Sequence, residues 1–176
     1  MTTHATAAAE SVEQLAKRTF AELHQSIVAQ EAGSLAGDVE AIHDMRVTIR
    51  RLRVALSNFA VCAPKEDRKR LREQLENLAD ALGGVRDLDV MIAALKSQLL
   101  NRSNEERAAI SALIRRLRDR RRLRLRALIN YLRGEEYAGF KREFFSESTS
   151  ADSSESATER LGIPYSVIEE EHGQAA

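Results

Sequence analysis

The sequence predicts an all-α fold, an antiparallel bundle of about four to five helices followed by a disordered acidic tail. Three observations carry that expectation. Only two prolines and eight glycines interrupt a chain rich in Ala, Leu, Arg and Glu, a composition that favours helix throughout. Apolar residues recur at spacings of three and four through the first 145 residues, the period of a helix with one core-facing stripe. After residue 145 that pattern stops, and the chain becomes rich in Ser, Thr and Glu and poor in apolar residues, a composition that cannot offset the entropy of ordering.

The division is therefore a frayed N-terminus at 1–10, a helical bundle at 11–145 and a tail at 146–176. Ser11 and Gln14 form a capping box and open a first helix that runs to about Glu31, with Leu15, Leu23 and Ile27 on one face. Gly33 to Gly37 reads as a loop. Asp38 caps a second helix over about 39–62, which Pro64 ends. A third helix runs from about 65 to 82, with Leu71, Leu75, Leu78 and Leu82 in line. Gly83-Gly84 predicts a kink or break, with another helical stretch from Val85 to about Leu100. Ser103 and Glu106 form a second capping box for a long helix to about Arg133, with Gly134 just beyond it. Residues 135–145 predict a short closing helix, whose Tyr137, Phe140, Phe144 and Phe145 cover the bundle end. Within the tail, Leu161 to Ile168 is a short apolar island.

The second helix separates into two stripes. Ile42, Met45, Ile49, Leu52 and Leu56 form the core face. His43, Arg46, Arg50 and Arg53 follow the same spacing one residue out of step, in a sector about 80° wide at roughly 100° per residue. Val47 and Val54 border that sector on its far side. Like charges at i,i+4 cost about 0.2–0.5 kcal/mol per pair, so a helix that accepts this cost without nearby acids points to an anionic ligand. The long helix repeats the arrangement. Residues 107–133 contain ten arginines and one acid, Asp119. Arg115, Arg118, Arg122, Arg126 and Arg133 share one sector beside the apolar face, whereas Arg116, Arg120 and Arg124 fall elsewhere and are expected to be solvated. If the two helices pack as neighbours, their stripes line one groove.

The formal net charge of zero conceals an asymmetry. Residues 1–145 hold 26 of the 27 Lys and Arg and 20 of the 27 Asp and Glu, a balance of +6, and residues 146–176 hold the remainder, a balance of −6. A basic body joined to an acidic tail points to a body that binds anions and a tail that competes with them. No apolar run approaches the ~20 residues of a membrane span, and the first residues lack the pattern of a secretory signal. Cys62 is the single cysteine. No intrachain disulfide can form, and a cytoplasmic location is expected.

Catalysis and metal binding find little support. Gly83-Gly84 is not followed by the Lys-Ser/Thr of a phosphate-cradling loop. Cys62 has no nearby His and reads as a small core residue. His43 beside three arginines is a poor metal ligand, because a metal needs neutral imidazole; beside bound phosphate its protonated form would be favoured. Asp87 and Asp89 have two readings: a carboxylate pair for a metal or acid–base chemistry, or N-caps after the glycine break with ion pairs to neighbouring arginines, Arg51 among them. The second fits better, since no third ligand lies nearby. Arg86 can face the groove. No catalytic residue, metal or cofactor is expected.

These residues carry a resemblance. His43-x-x-Arg46-Val47-x-x-Arg50-Arg51-Leu52-Arg53, followed by Leu82-Gly83-Gly84-Val85-Arg86-Asp87-Leu88-Asp89-Val90, resembles the CHAD family, histidine-containing α-helical domains. The resemblance covers roughly residues 10–145. It implies a helical bundle that binds inorganic polyphosphate through basic residues lining a central groove, association with polyphosphate granules, and no catalysis by the domain itself. The residues that match are His43, Arg46, Arg50 and Arg53, with Arg86, Arg118, Arg122 and Arg126 beside them. Family members typically contain two such bundles. This chain resembles the N-terminal one alone, so a homodimer would be one way to complete the architecture. The competing readings are a nucleic-acid binder and a bundle that pairs with an acidic protein partner. The absence of Trp, and of aromatics interleaved with the basic stripes, leaves base stacking poorly served.

Overall fold

The computed structural model describes residues 11–62, 65–100 and 102–145. The readings of a frayed N-terminus, of Pro64 as a helix breaker, and of the tail with its apolar island lie outside the described residues. Five α-helices and one short 3-10 turn make up the described fold: α1 (Val12–Ala36), α2 (Val39–Asn58), the 3-10 turn (Ala60–Cys62), α3 (Lys65–Ser97), α4 (Asn104–Leu132) and α5 (Glu135–Phe145). There is no strand among the described residues.

The helix starts follow their caps. The Ser11 hydroxyl accepts from Gln14 N–H at 3.1 Å and Gln14 Oε1 accepts from Ser11 N–H at 2.9 Å. Ser103 and Glu106 repeat this at the start of α4, and Asp38 Oδ1 accepts from Ala41 N–H at 2.8 Å. Each cap satisfies donors that have no partner within the helix.

Two expected breaks are absent. The first helix does not end at Glu31 but continues through Gly33 to Ala36. Only Gly37 leaves it, in the left-handed conformation at φ 79°, with its N–H and that of Asp38 closing back on the Ser34 and Gly33 carbonyls. Gly33 serves a different purpose: a Cβ there would stand 2.6 Å from Ala41 Cβ, so its absence lets α1 and α2 approach closely. Nor does Gly83-Gly84 interrupt α3, a single continuous helix. Two interior glycines cost about 2 kcal/mol against alanine, and the burial of Leu82, Val85, Leu88 and Ile92 around them holds the helix together. At the other end of α2, the helix stops at Asn58, before the expected limit of 62. Cys62 is half-buried rather than core. Burial first, and then the charge of Glu13, push its thiol up.

The helices pack in chain order, α1 on α2, α2 on α3 and α3 on α4, with α5 laid against α3 and α4. The core runs along the inner faces: Ile27 from α1; Ile42, Met45, Ile49 and Leu52 from α2; Leu75, Leu78 and Leu82 from α3; Leu128 and Leu132 from α4; Tyr137 and Phe140 from α5. The aromatic closure expected of the last helix is present at Tyr137 and Phe140; the side chains of Phe144 and Phe145 lie outside the described part. Tyr137 donates to Glu31 Oε2 at 3.2 Å, and Lys141 Nζ pairs with Glu31 Oε1 at 2.8 Å, tying α5 to α1. No described helix is long and apolar enough to cross a membrane.

One polar contact inside the bundle joins three elements. Asp89 lies on the inner face of α3 and is paired bidentately with Arg121 of α4. The same guanidinium donates to the Gly37 carbonyl at 3.0 Å. The side chains are 7% and 17% exposed. The contact places Arg121 level with the α1–α2 turn. The part of α4 between Asn104 and Arg121, about 25 Å at 1.5 Å per residue, therefore projects past that turn with α3 as its packed neighbour. This corrects the reading of Asp89 as an N-cap paired with an arginine such as Arg51: Asp89 is inside a helix, and its partner is Arg121.

Replacing Asp89 with Asn removes the compensating charge from a nearly buried guanidinium. It should destabilise the fold by about 3–5 kcal/mol, measured by denaturant unfolding. A loss below about 1 kcal/mol would show that the contact is not structural.

Tyr131 is pushed up to about 12, by burial first and then by the charge of Glu136. Tyr137 is raised further by burial and by Glu31. Both groups favour the protonated state in the fold, so their contribution is full below the ordinary tyrosine range near 10 and is lost as pH rises through the folded value. Thermal unfolding should show Tm falling between about pH 10 and 12, and falling less steeply in the Tyr131→Phe/Tyr137→Phe variant. Parallel curves would remove this assignment.

Candidate anion-binding face

The basic stripe of α2 lies along its seam with α3. Arg46 Nη1 donates to the Ala79 carbonyl at 3.1 Å, and its guanidinium sits against Gly83, where a Cβ would stand 2.5 Å from Nη1. Gly83 therefore marks the seat of an arginine rather than a helix break. Seven residues further along α2, Arg53 Nη2 pairs with Glu76 Oε1 at 3.1 Å. Both partners are about half exposed, so the pair adds little stability. Beyond it, Arg50, Arg53, Val54, Ser57, Arg72 and Glu76 line an open cleft of roughly 430 Å³. Arg72 was not singled out from the sequence. Its signal was present: it falls four residues before Glu76 and in one helical sector with Ala79, Gly83 and Arg86.

The pairings Arg46 with Gly83 and Arg53 with Glu76 fix one antiparallel register. Continued by one turn, that register sets His43 level with Arg86; both are half-buried. The face thus collects His43, Arg46, Arg50 and Arg53 from α2, and Arg72 and Arg86 from α3. His43, Arg50, Arg72 and Arg86 have no ion pair among the described residues.

Arg118, Arg122 and Arg126 do not join this face. The helices α2 and α4 make no substantial contact; α3 stands between their basic stripes. Arg124 of α4 lies over α3, its side-chain stem 3.4 Å from where a Gly84 Cβ would be. It is therefore packed on a neighbour and not merely solvated. Arg122 and Arg126 are about 160° around α4 from Arg124, whereas Arg118 is about 60° from Arg121 and lies on the flank of the α3 contact. All three are exposed, and Arg122 is paired with Asp119. The single groove expected from packing α2 against α4 is replaced by two separate basic faces.

Among the described residues, no three His, Cys, Asp or Glu side chains converge on a position that could hold a metal ion. Asp87 is exposed on α3, while Asp89 is engaged by Arg121. The two do not act as a carboxylate pair.

The geometry is that of a helical bundle with a His/Arg stripe seated against a glycine of the next helix. A family profile described as the CHAD domain matches residues 18–162, most of the chain. The chain belongs to the CHAD domain family, a family associated with polyphosphate binding. No curated protein and no solved structure matches the chain.

Replacing Gly83 with Ala tests the seat. The added Cβ displaces the Arg46 guanidinium, the movable end of a flexible side chain, while helix propensity gains up to about 1 kcal/mol. The variant should unfold at the same or a slightly higher temperature, yet bind polyanions more weakly. A pronounced drop in Tm, or unchanged binding, would contradict this role.

Proposed function

We propose that the chain binds inorganic polyphosphate, without chemistry on it, through the basic face at the α2–α3 seam. The observation that carries this reading is the arrangement of the cations. They are strung along a seam, about 15 Å from His43 to Arg53 at the rise of a helix, and do not converge on one point. A mononucleotide or single phosphate would reward convergence. A linear polyanion rewards a row, because each guanidinium fork meets a successive anionic group with charge-assisted hydrogen bonds.

Arg46 is already held by α3 and uses one of its five donors on Ala79, so little side-chain entropy is lost when the others meet a ligand. Association also releases counterions from the polymer, by analogy with nucleic acids. The aromatic side chains argue against base recognition. Phe20, Tyr131, Tyr137 and Phe140 pack in or against the core, Phe59 packs on Phe20, and none lines the cleft at Arg50, Arg53 and Arg72. On this reading the protein accumulates where polyphosphate does, including granules.

Titration with polyphosphate tests the proposal. Arg50→Gln should weaken binding about tenfold, the loss of roughly one charge-assisted contact. His43→Ala should also weaken binding, because it removes a ring donor from one end of the row. Binding that is indifferent to both substitutions would overturn the assignment of this face.

A further inference from the structure

We infer that the exposed basic flank of α4 is a second, independent polyanion site, so that one chain can bridge two polyphosphate molecules. The inference rests on the polyphosphate reading of the α2–α3 seam and adds a site that is physically separate from it. Arg115, Arg118 and Arg126 are exposed, occupy one sector of α4 by the ~100° arithmetic, and have no ion pair among the described residues. Arg133 continues the row, which is about 27 Å long from Arg115. Like-charge rows of this kind carry an energetic cost in the free helix, and among the described residues no acid of a packed neighbour pairs with this one. Asp119 engages Arg122, and Asp89 engages Arg121 on the inner side.

What separates the two faces is the solvent side of α3. Gly83 and Gly84 lie under Arg46 of α2 and Arg124 of α4 respectively. The sector between them carries Glu73, Asp80 and Asp87, all exposed. With Lys69 in the same sector one turn before Glu73, these carboxylates leave a net acidic strip along the direct path from one basic face to the other. A polyanion crossing that strip would set its own charge against three carboxylates, which short-range repulsion disfavours. Each face therefore takes its own polymer strand. On long polyphosphate such a two-faced chain acts as a cross-link, and multivalent bridging produces large assemblies near charge balance.

Calorimetric titration of the full chain with a short polyphosphate, paired with light scattering on a long one, tests the inference. The native chain should bind two short molecules. Scattering on long polymer should rise at intermediate ratios and clear in excess polymer, as each face fills separately. In the Arg115→Gln/Arg118→Gln/Arg126→Gln variant, the stoichiometry should fall to one and the scattering rise should be lost, with helical circular dichroism unchanged. Two sites persisting in that variant, or scattering that survives it, would overturn the second face. One molecule per native chain, weakened by Arg50→Gln, would overturn it while leaving the first face standing. No binding to the native chain would overturn both.

Discussion

The contact of Arg121 with Asp89 and the Gly37 carbonyl is the constraint on which the arrangement depends. It ties α4 to α3 and both to the turn between α1 and α2. Apolar packing alone specifies helix registers weakly, because a leucine stripe can slide by a turn with little change in buried area. A nearly buried guanidinium with two acceptors has no equivalent position one turn away. Displaced, it would leave a charge unpaired, at a cost of several kcal/mol. The contact therefore fixes the height of the α3–α4 hairpin against the α1–α2 hairpin. The level at which α2 meets α3 is marked by contacts of its own, Arg46 on Ala79 and Gly83 and Arg53 with Glu76.

The basic face is thus a consequence of register. Arg46 can lie against α3 because Gly83 leaves room for a guanidinium, and Arg53 reaches Glu76 because the same register holds a further two turns away. On this face Arg46 is held by α3 and Arg53 is paired with Glu76, while His43, Arg50, Arg72 and Arg86 have no ion pair among the described residues. The cost of this arrangement appears as mutual repulsion between these cations. On its solvent side α3 carries Glu73, Asp80 and Asp87, all exposed, between the helices that bear the two basic stripes.

Much of this was legible in the chain itself. The capping boxes at Ser11 and Ser103 marked two helix starts correctly, and the His43–Arg53 stripe was recognisable from spacing. The misreadings concern glycines. Gly33 and Gly83 read as signs of broken helix, since glycine is a poor helix former and neither helix shows locally what packs against it. Their purpose resides in Ala41 and Arg46 of another helix. The Arg121–Asp89 pair has a signal of its own in the sequence. Arg121 falls at an apolar position between Leu117 and Leu125, and Asp89 between Val85 and Ile92. A base and an acid, each interrupting an apolar stripe, are candidates for a buried pair. Phe140 and Tyr137 were legible as closing residues because large aromatics on a short amphipathic helix have few alternatives to burial.

The sequence by itself determined the helical class, most helix boundaries, the CHAD domain resemblance and the identity of the α2 cations. These are local properties, set by the 3.6-residue period, by side chains that cap their own helix and by residue types at fixed spacing. Tertiary structure alone decided which stripes share a face. Two basic helices with the same pattern can lie side by side or be kept apart by a third, and their sequences read alike in both cases. Here α3 separates them, so the stripe that α4 was expected to contribute to a common groove points elsewhere, and Arg72 and Arg86 stand opposite α2 in its place. The physical reason is that a periodic pattern states which side of a helix is buried, whereas the choice of neighbour is made by shape and charge on the other helix.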